Sequence, residues 1–164
     1  NPISPYALQK YIGEQYCKMF SEVYNLDTVS LRYFNVYGER QSFEGAYALV
    51  MGVFAKQLLD DKPMTINGDG EQKRDFTYDV VNANILASKS DKVGNGEVIN
   101  IGNGDNKSVN QLAHLLGGKK EHRDPVIEPR ATLADNSKAR ELLGWKPTQN
   151  FDEWVTNWKE ELGL

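Results

Sequence analysis

The sequence predicts an α/β fold, and three observations carry that prediction. Segments with helical periodicity alternate with short β-branched and aromatic runs from one end of the chain to the other. Two of those runs, at about 28–36 and 97–102, are hydrophobic enough to be buried on both faces of a parallel sheet. Two such strands are too few to make that sheet, so they read as part of a larger one.

Residues 5–24 have apolar side chains at Leu8, Tyr11, Ile12, Tyr16, Met19, Phe20 and Val23, a helical period. Ser4 can cap this helix, Pro5 suits its first position, and Asn25 ends it. TVSLRYFNVYG follows as a buried strand closed by Gly38, then the polar loop ERQSFEG and a second helix, AYALVMGVFAKQLLDD. KPMTINGDGEQKRDFTY predicts two short strands around a turn at Gly68-Asp69-Gly70. DVVNANILASKS is helical and GEVINIGNG is a short strand. SVNQLAHLLGG is a helix capped by Ser108 and ended by Gly117. RATLAD is read as a strand, and NSKARELLGW as a helix capped by Asn136 or Ser137. FDEWVTNWKEELGL closes the chain as an amphipathic helix, with Phe151, Trp154, Val155, Trp158 and Leu162 on one side.

Composition excludes several classes of function. The chain of 164 residues suits one ordinary domain and is short for two. Its 19 basic and 23 acidic residues give a net charge of -4, without the basic stripe that nucleic acid or an anionic membrane would require. No apolar run approaches a membrane span, and no secretory segment is present. The single cysteine, Cys17, excludes an internal disulfide and fits a reducing cytoplasm, and it reads as a packing residue rather than a nucleophile. The start on a helix cap, without an initiator methionine, reads as a segment of something longer.

One pair of residues carries chemistry. Tyr6 and Lys10, four apart, share a helix face one turn from each other. A tyrosine with a pKa of about 10 cannot serve as a base near neutrality. A lysine ammonium held beside it favours the phenolate and turns it into a usable general base. The spacing alone is a weak signal, since Tyr11 and Gln15 repeat it without chemical meaning.

The order of four motifs is more specific. SPYALQK, LRYFNVYGERQ, INGDGEQKRDFTY and LADNSKARELLGW together resemble the extended short-chain dehydrogenase/reductase family, and within it the nucleotide-sugar epimerases acting on UDP-glucose and UDP-N-acetylglucosamine at C4. The resemblance covers nearly the whole chain. It implies the C-terminal part of a Rossmann-type fold with a small mixed substrate-binding domain, the dinucleotide-binding half lying outside the chain. Residues 1–40 would end the Rossmann-type domain. Residues 41–164 would be mainly substrate-binding, with the strand at about 97–102 returning to the Rossmann sheet.

The resemblance also implies NAD as cofactor, a UDP-sugar as substrate and a cytoplasmic homodimer. Tyr6 would exchange a proton with the sugar 4-hydroxyl, and Lys10 would hold the nicotinamide ribose. Phe34 would lie against the nicotinamide, and Asn35 near the substrate diphosphate. Thr65 and Asn67 would sit beside the nucleotide base and ribose, and Arg74 on the phosphates, where a planar guanidinium suits two-point contact. Arg123 and Arg130 are both candidates for a further phosphate contact. Asn35 could instead cap a turn, and Arg74 could be an ion-pair partner within the protein.

The chain departs from the family pattern in three places. No glycine-rich turn follows a first strand, and GNGDNKS reads as a loop and helix cap rather than a pyrophosphate cradle. RDFTY runs directly into DVVNA, where the family usually has a valine and acidic residues between them, and HRDPVIEPR leaves the phosphate arginine without clear register. Two rival functions stay open: a nucleotide-sugar 4,6-dehydratase or decarboxylase of the same fold, and a non-catalytic sugar-nucleotide-binding or oligomerisation module.

Overall fold

The computed structural model describes residues 2, 4–45 and 48–164. In chain order the elements are α1 (Pro5–Tyr24), β1 (Thr28–Tyr33), β2 (Asn35–Val36), α2 (Val50–Leu59), β3 (Met64–Asn67), β4 (Lys73–Arg74) and β5 (Phe76–Thr77). They continue with α3 (Val80–Ala87), β6 (Asn95–Ile101), β7 (Lys107–Ser108), α4 (Val109–Leu116), β8 (Lys120–Arg123), α5 (Ser137–Leu143) and α6 (Phe151–Leu162). Two compact units share them. The first comprises residues 1–33, 79–101 and 135–146, and the second 34–78, 102–134 and 147–164. No helix among the described residues is long and apolar enough to cross a membrane.

In the first unit β1 and β6 pair in parallel, from Val29 opposite Glu97 to Tyr33 opposite Ile101. Ile99 and Ile101 are fully buried. α1 lies against both strands. The Ser4 side chain accepts from the Ala7 N–H at its start, and Asn25 ends it in the left-handed region at φ 53°. Gly96, at φ +76°, lets β6 approach α1 closely, because a Cβ there would fall 2.6 Å from Lys18 Cα. Ser21 Oγ and Thr28 Oγ1 donate to the carbonyls of Gly94 and Cys17 and fix the helix to the strand ends. Trp145 is buried at the end of α5, its indole N–H donating to the Asp79 carbonyl.

The expected single strand over 28–36 is divided. β1 ends at Tyr33, and the chain resumes in β2, which pairs with β5 in the second unit. The Asn35 N–H donates to the Asp75 carbonyl, so the backbone bonds of residues 28–36 go to two different partners.

In the second unit α2, α4 and α6 enclose a core containing Met51, Phe54, Leu112, Leu116, Val155 and Trp158. Ser108 starts α4 with a capping box: its hydroxyl accepts from the Gln111 N–H, and the Gln111 side chain accepts from the Ser108 N–H. Aromatic rings fill the space beside α6. Phe76 stacks on Phe151 at 4.6 Å, and Tyr37 meets Trp154 edge-on at 4.8 Å.

The turn at Gly68-Asp69-Gly70 separates strands that do not pair with each other. β3 pairs in parallel with β8, and β4 antiparallel with β7. RATLAD forms no strand beyond one bridge from Ala131 to Lys73. The second helix begins its described course at Val50, while Ala46 and Tyr47, expected within it, lie outside the described residues.

Candidate active site

Tyr6 and Lys10 project from the first two turns of α1. The Lys10 ammonium stands 5.5 Å from the centroid of the Tyr6 ring, within cation–π range. Tyr6 is 68% exposed, so the phenol is open to a ligand. The pair lines a groove of about 940 Å³ that also takes in Glu14, Leu31, Arg32 and Tyr33. One wall is β1, which among the described residues pairs only with β6 and leaves its other edge open.

Further along the groove Glu14 accepts from both Arg32 Nε at 2.6 Å and Arg32 Nη2 at 2.7 Å. These two charge-assisted bonds raise the Arg32 guanidinium pKa and tie the helix to the strand.

The remaining expected residues lie in the second unit. Phe34 is half-buried between β1 and β2, with a ring carbon 3.2 Å from where a Cβ on Gly102 would stand. Asn35 is half-buried in β2, paired with Phe76. Thr65, in β3, is clasped by one side chain: Gln57 Nε2 donates to its hydroxyl and Gln57 Oε1 accepts from its N–H. Asn67 is exposed at the end of β3, opposite Arg123 in β8. A cleft of about 370 Å³ includes Asn67, Gln72, Glu128 and Arg130 among its walls.

The three arginines differ in their freedom. Arg74 Nη1 donates to the carbonyls of Lys73 and Pro129, at 2.8 and 2.7 Å, and its Nη2 pairs with the Glu128 carboxylate. Its side chain is only 11% exposed. Arg130 is exposed and makes a two-point contact with Asp69, at 2.7 and 2.9 Å. The Arg130 hydrogen bonds, followed by the Glu71 N–H, lower the Asp69 pKa to about 2. Arg123 is exposed, with Glu121 at 4.0 Å. Of the three, Arg74 is the one already engaged on every side by the protein.

Asp75, next to Arg74, was not among the expected residues. Its side chain is fully buried and accepts from the N–H groups of Asn103, Gly104 and Ala134, at 2.7, 2.9 and 3.0 Å, and from the Thr77 hydroxyl. It therefore holds the β4–β5 segment, the loop after β6 and the 130–134 segment in one frame. Gly102 belongs to the same frame, because a Cβ there would fall 2.2 Å from the Ala134 Cβ. The only sequence signal was an acid between an arginine and a phenylalanine, too common to single out.

Comparison with known proteins accords with these features. A putative UDP-glucose 4-epimerase of Methanocaldococcus jannaschii is 38% identical over 96% of this chain and 54% of its own length. The crystal structure of a Thermotoga maritima UDP-glucose 4-epimerase with UDP-glucose superposes with a TM-score of 0.88 at 38% identity, covering 98% of this chain and 53% of that one. A Methanobrevibacter ruminantium UDP-N-acetylglucosamine 4-epimerase, in complex with UDP-N-acetylmuramic acid, gives 0.89 at 36% identity, covering 98% and 54%. The chain thus spans about half the length of the relatives it matches. A profile of the NAD dependent epimerase/dehydratase family matches residues 1–102, which include the Tyr6–Lys10 helix and both strands of the β1–β6 sheet. The chain belongs to that family.

Proposed function

We propose that this chain is the C-terminal portion of an NAD-dependent nucleotide-sugar 4-epimerase and carries its proton-handling pair. The observation that carries the reading is the exposed Tyr6 phenol with the Lys10 ammonium over its ring. When bound, NAD supplies the acceptor and donor of hydride at the sugar C4. Tyr6 takes the proton of the 4-hydroxyl and returns it after the 4-keto sugar has turned over. Lys10 holds the nicotinamide ribose and keeps positive charge beside the phenol. Phe34 lies against the nicotinamide and Asn35 serves the substrate near its diphosphate.

The residues fit only one end of the cofactor. The loop after β6 leads into α4, and the Ser108–Gln111 capping box already occupies that helix start, leaving no pyrophosphate cradle there. The glycine-rich turn therefore belongs to the half of the protein that this chain does not contain. Among the arginines, Arg74 serves a diphosphate only by exchanging Glu128 for it and Arg130 only by exchanging Asp69, whereas Arg123 is exposed with its acid no nearer than 4.0 Å. Thr65 and Asn67 belong to the nucleoside end. A cytoplasmic homodimer completes the reading.

The test is Tyr6→Phe in the full-length protein. Loss of epimerisation on UDP-glucose and its N-acetyl analogue, with NAD content unchanged, is the expected result. Near-normal turnover of either sugar would overturn the assignment. Calorimetry of the 164-residue chain against NAD should give no measurable binding; micromolar affinity would mean that the cofactor site is misplaced.

A further inference from the structure

Lys10 has two possible partners on its own helix, one turn to either side: the Tyr6 ring and the Glu14 carboxylate. Glu14 is four residues beyond it, the spacing at which lysines pair with acids on this chain's other helical turns. Lys18 pairs with Glu22 at 3.8 Å on the same helix, and Lys56 with Asp60 at 3.0 Å on α2. Lys10 does not follow them. Among the described residues it makes no ion pair, and its ammonium stands over Tyr6. The difference lies in Glu14, whose two oxygens are both taken by Arg32 from β1.

We propose that Arg32 is a positioning residue for the proton-handling pair: by occupying both oxygens of Glu14 it denies Lys10 its helical ion-pair partner and leaves the ammonium directed at Tyr6. This inference rests on the reading of Tyr6 and Lys10 given above, but it concerns their arrangement and not their turnover. A lysine in place of Arg32 could hold one carboxylate oxygen and would leave the other to compete, so the planar two-armed guanidinium is the functional element. The other titratable groups on the groove are Tyr11 and Cys17 from α1 and Tyr33 from β1. The Tyr33 hydroxyl donates to Asn84 of α3, and among the described residues Glu14 is the one carboxylate lining the groove.

Nuclear magnetic resonance of the 164-residue chain, labelled with ¹³C at the proton-bearing tyrosine ring carbons, tests this without reference to catalysis. The Tyr6 signal is identified by its loss in Tyr6→Phe. In Arg32→Gln the nuclear Overhauser contact between the Lys10 ε-methylene and the Tyr6 ring should vanish. In Glu14→Gln/Arg32→Gln, where no carboxylate competes, the contact should return at its strength in the parent. A merely structural role for the pair predicts the reverse, a double variant at least as perturbed as the single one.

Persistence of the Lys10–Tyr6 contact in Arg32→Gln would overturn the inference, as would a double variant that behaves like it. Should Arg32→Gln fail to fold, Arg32→Lys takes its place. The contact should then weaken rather than vanish, and an unchanged contact would overturn the proposal. None of these outcomes depends on whether Tyr6 proves catalytic, so failure here and failure of the epimerase reading are separable.

Discussion

α1 and α6 carry comparable amphipathic patterns in the sequence, yet they end in opposite conditions. α6 buries Phe151, Trp154, Val155 and Trp158 within the second unit. α1, longer by eight residues, buries none: Tyr16 is 57% exposed, Val23 64% and Tyr6 68%. A helical period in a sequence reports a face that needs covering, and it says nothing about what covers it. In α6 the cover comes from the same unit. In α1 part of the face is held by β1 and β6, and the rest is open among the described residues, including the side that presents the Tyr6–Lys10 pair.

That contrast makes mutational predictions of graded size, each read by thermal or denaturant unfolding of the chain. Phe54→Ala, in the sealed core of the second unit, should cost about 3–5 kcal/mol. A loss below about 1 kcal/mol would mean that this core is as open as the α1 face. Asp75→Asn should cost about 2–3 kcal/mol, because the amide group that replaces one carboxylate oxygen turns a donor toward N–H groups that need an acceptor. An unchanged midpoint would remove Asp75 from its place at the centre of that unit. Gly96→Ala should cost about 1–3 kcal/mol, since φ is +76° and the new Cβ meets the α1 backbone. Full stability there would show that α1 can withdraw from β6 freely.

The fourth prediction concerns pH. The Asp69 pKa is lowered to about 2 by Arg130, below the 3.8 of an unperturbed aspartate. The stabilisation from this pair is present above pH 3.8 and is lost as pH falls toward 2. Asp69→Asn should flatten the acid side of the stability curve in that window. Because both side chains are exposed, the change should be small and should shrink further in high salt. Smallest of all should be Tyr16→Ser on the uncovered face of α1, within about 0.5 kcal/mol. A loss of 2 kcal/mol there would show that α1 is covered in solution.

Elements with a strong period and a capping signal were legible, and those defined by a distant partner were not. Ser4, Pro5 and Asn25 marked α1, Ser108 marked α4, and the Phe151–Trp158 stripe marked α6, because each signal is local in the chain. β8 was invisible: KEHR is exposed on both faces, and only its pairing with β3 makes it a strand. RATLAD misled for a related reason, since the Ala134 N–H is taken by the Asp75 side chain rather than by a neighbouring strand. The break at Phe34 was concealed within a continuous β-forming run. At the site, four-residue spacing put Tyr6 and Lys10 on one helix face, and the order of four motifs singled the pair out. The engagement of Arg74 by Glu128, 54 residues away, and of Glu14 by Arg32 depends on which elements meet, which spacing does not encode.

The Asp75 frame has a consequence for remodelling this unit. At three of its four contacts the carboxylate addresses main-chain amides, which every residue except proline possesses. Position 103 can therefore be rewritten in side chain, and a library at Asn103 should retain the architecture with proline as the systematic failure. Gly102 and Ala134 form the opposite case, because the space between their Cβ positions is already spent. A designer reshaping this clasp thus has one permissive site and two forbidden ones. Diversity belongs where the fold listens to the backbone alone.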